Sequence, residues 1–130
     1  MHVFVYGTLV DPLRLDDVLG HRHRGERLRA RLDAYQRVLA PGFEFPFIIP
    51  ARGAAVDGIL VMDLSPADVD ALDAYEDLRQ GTYERKAVEV DVWGCGPRPM
   101  GVMAQTYVGG AALRRLNDEV AAQPTPSTAY

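Results

Sequence analysis

The sequence predicts an α+β domain, a small mixed or antiparallel β-barrel of about six strands flanked by short helices. Three observations carry this. Strand-like segments outnumber helical ones, of which only a few short examples are found. They follow one another directly instead of alternating with helices, which argues against a βαβ repeat and a doubly wound sheet. The chain has 130 residues, 48% of them hydrophobic and 25% charged, enough for one domain with a real core.

His2–Tyr6 reads as the first strand, ended by Gly7-Thr8. Asp11-Pro12 opens a helix that runs to about Leu19 and is closed by Gly20. In Arg27–Leu32, Arg27, Arg29 and Arg31 alternate with Leu28, Ala30 and Leu32, as in a strand with a solvated arginine face. Tyr35–Leu39 is a further strand, and Pro41-Gly42 breaks the chain. Phe43–Pro50 is extended, because Pro46 and Pro50 forbid a helix. Val56–Met62 is a nearly continuous apolar strand around Gly58. Ser65–Asp77 is a helix, with Ser65 as N-cap, Pro66 at its first position and Asp68 closing a capping box. Leu78–Thr82 is a loop. Arg85–Val92 alternates cleanly, Gly94-Cys95-Gly96-Pro97 turns the chain, and Met100–Val108 returns as a partner strand. Ala111–Ala121 is a last helix. The domain is expected to span residues 1–122, with 123–130 a loose tail.

Bulk properties narrow the function classes. No apolar run approaches the roughly 18 residues of a membrane span. Met1–Val5 runs straight into a strand pattern without a basic leader, so no signal peptide is expected. A single cysteine, Cys95, excludes an internal disulfide and fits a reducing cytoplasm. The net charge of −4 argues against a nucleic-acid partner. The basic stretch Arg22–Arg31 offers two functional readings beside a solvated face: a steering field for an anionic substrate, or a nucleic-acid contact that would weaken steeply with salt.

Catalytic parts are few. The serines are Ser65, a cap, and Ser127, in the tail; no Gly-x-Ser-x-Gly occurs. Cys95 lies between two glycines with no histidine nearby in sequence. His2, His21 and His23 match no metal-ligand spacing, and no Gly-x-Gly-x-x-Gly or P-loop is present. Chemistry is therefore left to a carboxylate, backbone donors, hydroxyls and arginines, with no metal or cofactor expected.

Glu76 is the carboxylate that stands out. At about 100° per residue, Val69, Leu72, Tyr75 and Glu76 share one arc of their helix, while Asp70, Asp73 and Asp77 fall on the side expected to meet water. A carboxylate on an apolar arc, near the negative end of the helix dipole, has its pKa raised, as a general base requires. The bland alternative is a structural carboxylate held by an arginine such as Arg85. Tyr6-Gly7-Thr8-Leu9, where the first strand ends, can supply consecutive N–H groups as an anion nest. Tyr83-Glu84-Arg85 adds a phenol and a guanidinium.

Tyr-Gly-Thr-Leu after the first strand, then Phe-Pro-Phe-Ile-Ile-Pro, Val-Asp-Gly-Ile-Leu, Leu-Asp-Ala-Tyr-Glu and Tyr-Glu-Arg resemble, in order and spacing, the gamma-glutamylcyclotransferase-like family over about residues 3 to 108. The resemblance implies a small mixed β-barrel and an intramolecular reaction. In it the α-amino group of a γ-glutamyl compound attacks its own γ-carbonyl, releasing 5-oxoproline and an amine. It implies Glu76 as the catalytic base, Tyr6, Gly7, Thr8 and Leu9 as the loop holding the glutamyl end, and Tyr83 and Arg85 as the Tyr-x-Arg that closes the site. The chain departs from the family in Asp77, where glycine is usual. The expected protein is thus a cytoplasmic, cofactor-free cyclotransferase, monomer or homodimer, acting on a small γ-glutamyl molecule without nucleic acid or membrane. The rival is a binding module that keeps the barrel and cavity but not turnover.

Overall fold

A computed structural model describes residues 1–39, 46–76, 82–94, 96–111, 113–115 and 118. Five strands, β1 (Val3–Val5), β2 (Arg27–Val38), β3 (Phe47–Val61), β4 (Tyr83–Val92) and β5 (Met100–Gly109), close a barrel in the order β1-β3-β2-β4-β5. Neighbours are antiparallel except β1 and β5, which run parallel and complete the ring. Outside it lie a 3-10 turn, Thr8–Val10, and two helices, α1 (Pro12–Leu19) and α2 (Pro66–Tyr75).

Among the described residues the strands number five, not about six, because interruptions in the sequence pattern are bends within strands. β2 takes in both Arg27–Leu32 and the segment from Tyr35, and β3 takes in Phe47–Pro50 as well as the run from Val56. Pairing jumps from Asp33↔Ala55 to Tyr35↔Pro50, with Ala34 at φ 65° and Gly53 at φ 82°. Extra residues on β3 are absorbed as a bulge, which bends a long hairpin without ending either strand. Phe43–Phe45, Cys95, Asp77, Leu78–Gly81 and the tail at 123–130 fall outside the described residues. Of the expected last helix, residues 111, 113–115 and 118 are helical, and Leu113 is buried against Phe47.

Alternation along β1 sorts its side chains into two apolar layers. Phe4 and Tyr6 point into the barrel with Leu32, Ile48, Leu60 and Val90. Val3 and Val5 point outward under the helices, against Leu15, Val61, Val69 and Leu72. Burial on both faces is why β1 is apolar throughout. Gly58 makes the crossing possible: a Cβ there would lie 2.3 Å from the Val5 carbonyl oxygen and 2.7 Å from the Phe4 ring.

The helices start as the sequence predicts. Asp11 Oδ1 accepts from the Leu13 N–H at 3.0 Å, and Gly20 ends α1 at φ 78°. In α2, Ser65 and Asp68 form the reciprocal capping box. Asp68 also meets His21 Nε2 at 2.6 Å, which ties the chain after α1 to the start of α2. The arginine face of β2 is accompanied by acids and an aromatic: Arg27 meets Asp16 at 3.1 Å, Arg31 meets Asp33 at 3.0 Å, and Arg29 lies over Trp93 at 5.1 Å. Among the described residues no helix is long and apolar enough to cross a membrane.

Candidate active site

A cavity of about 120 Å³ opens where β1 runs out. The segment after β1 contributes Tyr6, Gly7, Thr8 and Leu9; α2 contributes Tyr75 and, at its C-cap, Glu76; β4 and β5 contribute Tyr83 and Tyr107; Pro46 closes one side. Six of the residues singled out from the sequence therefore meet: Tyr6, Gly7, Thr8, Leu9, Glu76 and Tyr83. Arg85 does not line this space.

Glu76 is held by its backbone, its N–H donating to the Leu72 carbonyl at 2.9 Å. Among the described residues its carboxylate has no hydrogen-bond or ion-pair partner; Arg85, the suspected strut, is engaged instead by Asp73 at 3.2 Å. Burial raises the Glu76 pKa from 4.5 to about 7. A group with that pKa can both take up and return a proton near neutrality.

Around it stand four tyrosines. The Tyr6 hydroxyl donates to the Tyr107 carbonyl at 2.5 Å, and the Tyr83 hydroxyl to the Pro46 carbonyl at 3.0 Å. The Tyr107 hydroxyl donates to Asp73 Oδ1 at 2.7 Å, and the Tyr75 hydroxyl shares a hydrogen bond of 2.9 Å with Thr8 Oγ1. Burial and the nearby Glu76 charge push Tyr83 up to about 12. Burial raises Tyr6 and Tyr107 as well, the former helped by Glu76 and the latter by its bond to Asp73. Tyr6, Tyr83 and Tyr107 stay protonated at neutral pH and act as donors. Among the described residues that line the cavity, Glu76 is the group whose pKa is placed near neutrality.

The loop after β1 differs in detail from the expected nest. Gly7 has φ −115°, outside the left-handed region, and its glycine is not required by a positive φ. A Cβ there would meet only the Pro46 ring, at 3.6 Å, so what glycine leaves open is approach from the cavity. The Val10 N–H donates to the Gly7 carbonyl at 3.1 Å and the Asp11 N–H to Thr8 at 3.3 Å. The N–H groups of Thr8 and Leu9 stand at the open start of that turn, where no carbonyl of the turn can reach them.

The helical arc is also rotated from its expected position. Tyr75, expected inside, is 37% exposed at the cavity rim. Asp73, expected in water, faces the barrel wall between Arg85 and Tyr107. At about 100° per residue Asp73 lies only about 40° from Val69, close enough for the curved wall to enclose it. Sequence reasoning missed Tyr107 and Asp73 as site residues. The register Arg85↔Tyr107 across β4 and β5 is the signal that pairs Tyr107 with the Tyr-x-Arg segment, and it exists only once the strands are aligned.

The family model "Gamma-glutamyl cyclotransferase, AIG2-like" matches residues 3–125. The chain belongs to that family. AIG2-like protein D of Arabidopsis thaliana is 34% identical over 93 residues, covering 69% of this chain and 57% of the relative. A solution structure of another Arabidopsis thaliana protein superposes with a TM-score of 0.70 at 28% identity, covering 83% of this chain and 61% of that one. A structure titled gamma-glutamyl cyclotransferase gives a TM-score of 0.68 over 98% of this chain and 90% of its own, and at 15% identity it shows the shared fold. The chain spans from 51% to 61% of the length of the curated relatives it matches. Among the described residues no cluster of histidine, cysteine, aspartate and glutamate is suited to hold a metal ion.

Proposed function

We propose that this chain is a cytoplasmic, cofactor-free cyclotransferase that converts a γ-glutamyl amine or amide to 5-oxoproline and a free amine, with Glu76 as the base. The observation that carries the proposal is the meeting, in one cavity, of the loop Tyr6–Leu9 with a partly buried carboxylate that has no side-chain partner among the described residues.

In this reading the glutamyl end lies along the loop, where Thr8 and Leu9 offer N–H groups to oxygen. Glu76 takes a proton from the substrate's α-ammonium. The freed amine attacks the γ-carbonyl carbon, forming the ring C–N bond and a tetrahedral oxyanion. Collapse of the oxyanion breaks the original amide C–N bond. Glu76 gives the proton it holds to the departing nitrogen, and the carboxylate so regenerated takes the second proton, shed by the ring nitrogen, and returns it to the released amine. The nucleophile is already tethered to its target, so no enzymic nucleophile is needed. Tyr83, held on the Pro46 carbonyl, lines the cavity beside the loop.

A screen of γ-glutamyl amino acids, γ-glutamylamines and γ-glutamylated aminoglycosides, read out as 5-oxoproline, tests the proposal. Release from at least one class is expected. Release from none, with 5-oxoproline still raising the melting temperature, would replace it with the binding-module reading.

A further inference from the structure

Asp73 Oδ1 receives two donors from two different strands. The Tyr107 hydroxyl of β5 lies at 2.7 Å and Arg85 Nε of β4 at 3.2 Å. Arg85 and Tyr107 are directly paired across the ladder, so their side chains leave the same face of the sheet side by side. Asp73 fits between them from above. It stands three residues before Glu76 on α2, and residues at that spacing are neighbours on one side of a helix.

The rest of α2 is fixed elsewhere. Its first turn is held by the Ser65–Asp68 box and His21, and its middle by buried Val69 and Leu72. The last turn holds Ala74, which is small, and Tyr75, whose hydroxyl shares a hydrogen bond with Thr8 in the loop after β1. Asp73 is the side chain of that turn tied to the strands themselves, by a charged and a hydrogen-bonded contact. Tyr107 carries the linkage onward, because its carbonyl receives the Tyr6 hydroxyl from the end of β1. Arg85 itself borders a second depression with Met1, Tyr83, Glu84 and Gln105, and Tyr83 stands between it and the Glu76 cavity, which Arg85 does not line.

We propose that Arg85 and Asp73 are positioning residues, which clamp the last turn of α2 to the β4–β5 wall through Tyr107 and so set where the Glu76 carboxylate enters the cavity. This replaces a direct substrate contact for Arg85, and it rests on Glu76 being the base. Among the described residues the titratable groups lining the cavity with Glu76 are Tyr6 after β1, Tyr83 from β4, Tyr107 from β5 and Tyr75 from its own helix, with Asp73 and Arg85 bound behind Tyr107. Loosening the clamp admits water to Glu76, which relieves the desolvation that raises its pKa.

The test uses Asp73→Asn, Arg85→Gln and Arg85→Lys, each measured for kcat, KM and the acid limb of kcat/KM against pH. Asp73→Asn and Arg85→Gln should lower kcat about 10- to 100-fold, as expected for a misplaced reacting group, with KM nearly unchanged. The acid limb should move from near 7 toward the ordinary carboxylate range, and Arg85→Lys should recover part of both effects. A raised KM with unchanged kcat in Arg85→Gln would overturn the proposal in favour of a substrate ligand. Lower melting temperatures with unchanged kinetics and pH limb would overturn it in favour of a plain strut. Titration of Glu76 by carbon NMR in the substrate-free variants separates this inference from the cyclotransferase reading. A pKa that falls in Arg85→Gln, where loss of the cation alone would raise it, supports the clamp even where no substrate turns over, and an unmoved or raised pKa refutes it.

Discussion

Glu76→Gln tests the central residue through stability and turnover at once. Burial places the Glu76 pKa at about 7 in the folded protein against 4.5 in the unfolded chain. The folded state therefore binds this proton more tightly, and stability falls as pH rises from about 4.5 through about 7. At roughly 1.4 kcal/mol per tenfold change, the gap amounts to about 3 kcal/mol above pH 7. Glutamine keeps the size and polarity but carries no charge to desolvate. Near pH 4.5 wild type and variant should melt together. At pH 8 the variant should be up to about 3 kcal/mol more stable, on the order of 10 °C for a chain of this size. Release of 5-oxoproline should fall about 10²- to 10⁴-fold over the same range. Thermal melts at the two pH values and a 5-oxoproline assay on one preparation give both answers. A variant that melts lower at both pH values and keeps its specific activity would refute the reasoning, because Glu76 would then be a strut.

Gly7→Val should leave the ligand-free melting temperature nearly unchanged, since a Cβ there meets only Pro46 at 3.6 Å, yet abolish the thermal shift induced by 5-oxoproline. An undiminished shift would show that ligand does not approach this turn. Gly58→Ala should lower stability by about 3 kcal/mol in urea titration, as a methyl group is driven against the Val5 carbonyl and the Phe4 ring; a loss near zero would mean β1 can move aside. His21→Ala should lower the melting temperature at pH 6 but not at pH 9. The hydrogen bond to Asp68 raises the His21 pKa above 6.5, so its contribution is present below that value and disappears as pH rises through the raised one. On Asp68, burial works against ionisation, but His21 and the Ser65 N–H outweigh it and hold the carboxyl below its usual value. The contribution is therefore also lost in acid, and a melting difference independent of pH would contradict it.

Local chemistry made the helix ends legible in the sequence. Ser65-Pro66 with Asp68, and Asp11-Pro12 with Gly20, satisfy backbone groups within a few residues and behave as read. Strand count was less legible, because a bulge at Ala34 and the bend around Gly53 look like turns until the partner strand shows that pairing resumes. Within the cavity, Glu76 could be singled out because a carboxylate among Val69 and Leu72 conflicts with its surroundings. Asp73 could not, since beside Asp70 it resembles part of a solvated face, and only the curvature of the β4–β5 wall brings it to Arg85 and Tyr107. Tyr107 lies in an ordinary-looking strand, and its role depends on a neighbour at Arg85 that no local pattern reveals.

The ring closes through a parallel pair, Val3↔Gln105 and Phe4↔Thr106, that joins segments about a hundred residues apart. A long β2–β3 hairpin and the β4–β5 pair can form early from nearby chain, but β1 can be ordered on both sides only when β5 has arrived. Loop-closure entropy must be met before that contact contributes, which makes barrel closure a late and slow step of folding. The loop that carries Gly7 and Thr8 leaves directly from β1, so ligand-binding competence should appear with the slowest kinetic phase, after most secondary structure has formed. Until then β1 and β5 expose unpaired edges to other chains. Closure thus also marks the point at which refolding molecules stop being prone to aggregate.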